Sequence, residues 1–165
     1  MKIRIANPSD ANAINLIYNQ AVIAKHQTAD LTPIPLVETE KWLANHNPEK
    51  YPVFVAELDG KVVGWISISP HRAGREALKY TSEVSYFIHQ SHQKKGIGSA
   101  LMDYVINHAR DFEAKNLFAI LLETNKGSIR LLEKFAFEKW GYLPRVAEID
   151  GREVGQFYYG RRTYD

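Results

Sequence analysis

The chain opens on an alternation. Ile3 and Ile5 stand between Lys2, Arg4 and Ala6, the two-residue period of a strand with one buried face. Asn7-Pro8-Ser9-Asp10 then supplies cap-forming side chains and a proline, the signature of a helix start. Ile14, Ile17, Tyr18, Ala21 and Val22 follow at helical spacing, so a first helix buries that stripe. A proline-rich loop from Thr28 to Pro35 leads to a shorter helix containing Trp42 and Leu43. There the period changes to two. Val53-Phe54-Val55-Ala56 and Val62-Val63-Gly64-Trp65-Ile66 flank Asp59-Gly60, a dipeptide suited to the positive φ angles of a hairpin turn.

Thr81 to Ile88, rich in β-branched and aromatic residues, predicts a further strand. A polar, glycine-containing connection follows, then a helix with Leu101, Met102, Val105, Ile106 and Ala109 on one stripe. Leu117 to Leu122 reads as a buried strand and Ser128 to Phe135 as a last helix. Asp150-Gly151 marks a second tight turn between two strand-like runs. No repeat, linker or low-complexity tract interrupts this order, so residues 1–165 read as a single domain. The order β-α-α-β-β-β-α-β-α-β-β predicts an α/β (α+β) fold: a mixed, mostly antiparallel sheet of about seven strands flanked by about four helices.

Composition narrows the function. Apolar residues make up 45% of the chain, with three Trp and seven Phe, enough for a substantial core. Twenty-one Lys and Arg are scattered among 19 Asp and Glu for a net charge of +2, which leaves no strong footprint for nucleic acid or an anionic membrane. A small-molecule partner fits better. No signal peptide or membrane span is read, and the expected address is the cytoplasm. With no Cys, the chain has neither a thiolate metal site nor a Cys nucleophile. His71, His89 and His92 match no metal-ligand spacing, and no metal is expected.

The chemistry concentrates in Gln93-Lys94-Lys95-Gly96-Ile97-Gly98-Ser99, between a strand and a helix. Backbone N–H groups at a helix N-terminus, with glycine removing side-chain bulk, can wrap a pyrophosphate, and the lysines add cations. A tight strand-to-helix turn also needs glycine for backbone reasons alone, and both readings stay open on these residues.

A wider set of islands resembles a known family. Gln-x-x-Gly-x-Gly after a strand, followed by Asn125-x-x-Ser128 opening a helix that ends near Phe137, resembles the two cofactor motifs of the GNAT superfamily of N-acetyltransferases. More narrowly, Ile17-Tyr18-Asn19-x-Ala21-Val22, Gly64-Trp65-x-Ser67, Tyr80-Thr81-x-Glu83-x-Ser85 and Ser128-Ile129-x-Leu131 resemble its phosphinothricin and methionine-sulfoximine acetyltransferase branch. The resemblance implies acetyl-CoA as cosubstrate, a small amino-acid-like amine as acceptor, and a homodimer. Tyr86, Phe87 and Ile88 would follow the pantetheine arm with their backbone, Gln93 to Ser99 would cradle the pyrophosphate, and Asn125 and Ser128 would touch the cofactor arm. Asn125 suits a helix N-cap equally well.

Acetyl transfer requires a neutral amine, whereas acceptor ammonium groups titrate at roughly 8 to 10. Glu83, in a strand otherwise of apolar and hydroxyl residues, is the candidate base; the plainer reading is a solvent-facing or ion-paired strand residue. Arg72 and Arg75, in the loop before Thr81, are candidates to hold an acceptor carboxylate, and either equally well reads as a solvated surface residue. Trp42 reads as core rather than acceptor cage. Two positions depart from the family. Leu132 stands where many members carry Tyr and this branch often carries His as proton donor to the leaving thiolate, and Ala136 stands where relatives place Gly. A protein or peptide acceptor, or a non-catalytic acetyl-CoA-binding protein, are the alternative readings.

Overall fold

The computed structural model of the chain describes residues 1–165. Its elements keep the expected order: β1 (Lys2–Ile5), α1 (Ala11–Ala24), α2 (Leu36–Ala44), β2 (Val53–Leu58), β3 (Lys61–Pro70), β4 (Thr81–Ile88), α3 (Ile97–Asn107), β5 (Asn116–Leu122), α4 (Lys126–Lys134), β6 (Glu138–Ile149) and β7 (Arg152–Arg162). The strands form one seven-stranded sheet in the order β1-β2-β3-β4-β5-β7-β6. Both Asp-Gly turns take positive φ at both residues, 50° and 75° at Asp59-Gly60 and 51° and 75° at Asp150-Gly151, as tight hairpins require. Every neighbouring pair is antiparallel except β4 with β5, whose connection runs through α3. No helix is long and apolar enough to cross a membrane.

Strand alternation sorts the side chains into two layers. Ile66, Ile68 and Val84 pack with Leu101, Met102 and Val105 of α3 and Leu132 of α4 in the main core. On the opposite face Ile14 and Ile17 of α1 pack with Val53, Val55 and Trp65. Along β4, Val84, Tyr86 and Ile88 therefore point to the α3/α4 face, while Glu83, Ser85 and Phe87 point to the α1/α2 face. Gly64 brings the ends of β3 and β4 together with α3. A Cβ there would lie 2.8 Å from Ile88 Cδ1 and 3.2 Å from Ile97 Cγ2.

The parallel pairing is short. Thr81 lies opposite Asn116, Ser82 opposite Leu117 and Glu83 opposite Phe118, and there the ladder stops. β4 continues to Ile88 on β3, and β5 to Leu122 on β7. Beyond Glu83 the middle of the sheet is therefore open, and main-chain groups of Val84–Ile88 and Ala119–Leu122 that face the gap have no strand partner.

Helix α4, which borders that gap, ends in a tight turn. Phe137 N–H donates to the Leu132 carbonyl at 3.0 Å and Ala136 N–H to the Glu133 carbonyl at 3.0 Å, with Ala136 in the left-handed region at φ 59°. A Cβ in that conformation costs about 1 kcal/mol, which is the physical content of the family's glycine at this position. Replacing Ala136 with Gly should therefore raise stability by about 1 kcal/mol, read as an upward shift of the denaturation midpoint. An unchanged or lowered midpoint would show the turn to be unstrained.

Candidate active site

Two cavities open on either side of the divergence between β4 and β5. The first, of about 610 Å³, is lined by Glu83, Ser85 and Phe87 of β4, by Trp65, Ser67 and Ser69 of β3, and by α1, α2 and the loop between them. The second is a groove of about 660 Å³ lined by Tyr86, Phe87 and Ile88, the turn before α3, and the first turn of α4. Phe87 and Gln27 border both, so the two spaces meet where the ladder has parted.

The groove is built from main-chain donors and cations. Gly96 caps α3 at φ 83°, a left-handed conformation that glycine adopts freely, and this turn aims the free N–H groups of Ile97, Gly98 and Ser99 outward. Gly98 faces Ile88 and Leu131: a Cβ would lie 3.4 Å from Leu131 Cδ2 and 3.8 Å from Ile88 Cγ1, so larger side chains would fill the space between them. Helix α4 points its N-terminus into the same groove, where Asn125 Oδ1 accepts from Ser128 N–H at 3.2 Å. Asn125 thus serves as an N-cap and as a wall. Lys25, Lys94, Lys126 and Arg130 also line the groove, and no Asp or Glu does. Lys25 is paired with Asp150 at 2.6 Å, so two helix N-termini, a glycine cradle and three unpaired cations fit a ligand carrying several phosphates.

The other cavity has the opposite character. Asp30, Glu38 and Glu83 line it, and no Lys, Arg or His does. Its apolar wall is a run of touching aromatics: Trp42 to Trp65 at 5.4 Å between centroids, Trp65 to Phe87 at 5.0 Å and Tyr18 to Phe87 at 5.0 Å. The proline-rich loop forms one wall of it because α1 holds that loop down. Asn19 Nδ2 donates to the Ile34 carbonyl at 3.0 Å while Ile34 N–H donates to Asn19 Oδ1 at 2.8 Å, and Tyr18 hydrogen-bonds to both Thr28 and Asp30. Burial first, and then the Asp30 carboxylate, push the Tyr18 phenol up to about 12.

Glu83 sits at the last rung of the parallel ladder, half-buried, with neither an ion pair nor a hydrogen bond, so the ion-paired reading does not hold. Burial raises its pKa above the ordinary carboxylate value, because a charge in a partly dry cavity loses solvation. A carboxylate so placed accepts a proton more readily near neutral pH than a solvated one.

Other sequence candidates lie elsewhere. Arg72 and Arg75 are exposed in the β3–β4 loop and line a separate cavity of about 190 Å³, not the one holding Glu83; the loop turns outward after Pro70, which no residue periodicity encodes. Lys95 does not line the groove, since its Nζ donates to the Ser91 carbonyl at 2.9 Å. His71 packs edge-on against Phe118 at 4.7 Å, and His89 Nδ1 accepts from Ser91 N–H at 3.2 Å. Trp42 is both core and cavity wall. Sequence reasoning missed Lys25, Lys126 and Arg130 of the groove and Asp30 and Glu38 of the cavity. Only Lys126 and Arg130, beside the Asn125-x-x-Ser128 motif, carried a signal.

The sequence model of the Acetyltransferase (GNAT) family matches residues 16–137, which hold every residue lining the groove and all but Ile14 and Gln156 of those lining the cavity. The chain belongs to the GNAT acetyltransferase family. It is similar to the L-methionine sulfoximine/L-methionine sulfone acetyltransferase of Salmonella typhimurium, at 34% identity over 92% of this chain and 88% of that one. The L-amino acid N-acyltransferase of Escherichia coli is 32% identical over the same shares of each chain. Among solved structures, a GNAT superfamily phosphinothricin acetyltransferase from Sinorhizobium meliloti in complex with acetyl-CoA superposes with a TM-score of 0.91 at 25% identity, covering 98% of this chain and 87% of that one. This GNAT protein is accordingly an acetyl-CoA-dependent N-acetyltransferase, with the seven-stranded mixed sheet of its structural neighbours.

The raised Glu83 pKa makes a prediction about stability. A carboxyl group whose folded pKa lies above its unfolded one, near 4.3, stabilises the fold fully below that unfolded value and loses the contribution as pH rises through the folded value. Glu83→Gln is neutral throughout, so its melting temperature should gain on wild type as pH rises from 4 to 7.5. The same difference at both pH values would show that Glu83 carries no burial penalty.

Proposed function

We propose that this enzyme acetylates the primary amine of a small amino-acid-like acceptor, with acetyl-CoA in the groove and the acceptor in the Glu83 cavity. The observation that carries this reading is the parting of β4 from β5 beyond Glu83, with phosphate-binding features on one side and carboxylates on the other. An acetyl group delivered through the gap meets the acceptor nitrogen between Glu83 and Phe87, on the cavity side of the opening.

Each step then has a residue. Asp30, Glu38 and Glu83 favour entry of the acceptor as an ammonium ion, and the aromatic wall excludes water from its apolar part. Glu83, directly or through a water, takes the ammonium proton. The neutral amine attacks the thioester carbonyl, and an unpaired β4 N–H facing the gap stabilises the developing oxyanion. The adduct nitrogen, cationic after the attack, gives up its second proton to solvent by way of water, the C–S bond breaks as the carbonyl re-forms, and the thiolate departs into the groove. Gln93, Lys94, Gly96, Ile97, Gly98 and Ser99 hold the pyrophosphate, Asn125 and Ser128 the far side of the arm.

The acceptor class rests on the amino-acid acetyltransferases among the relatives and on the shape of the cavity. A space of about 610 Å³ walled by α1, α2 and the tied-down loop has the volume of a small-molecule site, which supports the same acceptor class. With Arg72 and Arg75 outside it, an acceptor carboxylate inside this cavity is met by hydroxyls such as Ser67 and Ser69.

The test is acetyl transfer to methionine sulfone under conditions where chemistry limits turnover, with calorimetry of acetyl-CoA binding alongside. Glu83→Gln should lower kcat by ~10²- to 10⁴-fold while leaving acetyl-CoA affinity unchanged. Equal rates in the two proteins would reduce Glu83 to a strand residue, and turnover of N-terminal peptides in preference to amino acids would remove the small-acceptor assignment.

A further inference from the structure

Strand pairing sets the floor of the acceptor cavity in rows. Ser69 lies opposite Glu83, Ser67 opposite Ser85 and Trp65 opposite Phe87, and all six line the space. The floor is therefore polar from Glu83 to Ser67 and aromatic at Trp65 and Phe87. Ser67 is 2% exposed and has no hydrogen-bond partner in the protein, yet its hydroxyl is not sealed as that of Ser82 is, so what surface it keeps belongs to the cavity. Glu83 takes no hydrogen bond from its neighbours Ser69 and Ser85, which leaves those hydroxyls free as well. A buried hydroxyl without a partner is stabilised by a ligand that supplies one, and a hydroxyl can both donate and accept.

The rim of the cavity carries charge of one sign. Asp30 and Glu38 are exposed there, and neither charge is offset within the cavity. Tyr18 donates to Asp30, which leaves the carboxylate negative. Glu38 has Lys41 at 3.5 Å, but both side chains are more than half exposed, and such a pair holds little in water. Arg72 and Arg75 line a different cavity. A free amino acid brings an ammonium and a carboxylate into this setting. Glu83 meets the ammonium. The carboxylate finds hydroxyls, which hydrogen-bond to it without cancelling its charge, and the like charges of Asp30 and Glu38. An amine with an uncharged second end enters as a monocation and meets no repulsion.

We propose that the acceptor's second polar end is uncharged, an alcohol or a carboxamide held by the hydroxyl floor at Ser67, and that Asp30 and Glu38 select against a free carboxylate. Within the amino-acid-like class this singles out amino alcohols and amino-acid amides. The inference rests on the reading of the Glu83 cavity as the acceptor site. Selection of this kind acts on binding, since the carboxylates at the rim touch neither the thioester nor the attacking nitrogen, and it weakens as salt screens the exposed charges.

Two acceptors that differ at that end alone decide the matter: methionine sulfone, and the amino alcohol carrying CH₂OH in place of its carboxylate. Both present an ammonium in the ordinary range, so the comparison isolates the carboxylate. Wild-type enzyme at low salt should show kcat/KM about tenfold higher for the amino alcohol, with the difference in KM. The double variant Asp30→Asn, Glu38→Gln, altered only at the exposed rim, should bring the two acceptors within about threefold of each other. Ser67→Ala should raise KM for the amino alcohol by ~3- to 10-fold, the loss of one hydrogen bond. An equal or higher kcat/KM for the free acid in wild type overturns the proposal and leaves the small-acceptor reading standing. A preference that survives the double variant, or a KM for the amino alcohol that Ser67→Ala leaves unchanged, overturns the proposal in the same way. Acetylation of neither compound overturns the reading of the cavity together with it.

Discussion

Three residue pairs hold β4 to β5, and the rest of the site depends on the ladder ending there. Were the pairing to continue from Glu83 and Phe118 to the strand ends, the main-chain groups of Val84–Ile88 would be spent on the sheet and no passage would join the groove to the cavity. Instead both strands are held from outside, β4 by β3 along its whole length and β5 by β7 to Leu122. The opening is thus rigid. Sheet ladders fix its two rims, and the close approach allowed by Gly64 fixes the start of α3 against one of them.

Strand parity then converts the opening into a site with two chemistries. Along β4, alternate residues send Tyr86 and Ile88 toward the helices of the groove and Glu83, Ser85 and Phe87 toward the cavity. Charge follows the same division. A net charge of +2 from well-mixed residues gives no hint of it, yet the fold collects Lys25, Lys94, Lys126 and Arg130 on one side and Asp30, Glu38 and Glu83 on the other. Opposite potentials a few residues apart orient an anionic cosubstrate and a cationic acceptor without either entering the wrong space.

Much of this was legible from periodicity. The element order, both Asp-Gly hairpins and the glycine turn ahead of α3 follow from local patterns, and local patterns decide local structure. Glu83 stood out because a lone carboxylate interrupts an apolar and hydroxyl strand, although sequence could not say whether it was paired. What escaped depends on loops and on approach from distant elements. Arg72 and Arg75 follow a strand that ends beside the cavity, but the course of their loop has no period to read. Trp42 shows the helical spacing of core and also faces the cavity, so one residue carries both roles. Ala136 and Leu132 registered only as departures from a pattern. The structure supplies the left-handed φ behind the first and places the second in the main core beneath α4.

The account turns on open main chain between β4 and β5 receiving acetyl-CoA, and amide hydrogen exchange reads that directly. Adding acetyl-CoA should slow exchange in the Val84–Ile88 segment and at the N-termini of α3 and α4, while leaving β2, which lies two strands away, unchanged. Saturating acetyl-CoA without any slowing across Val84–Ile88, or with slowing confined to elements away from the gap, would contradict it.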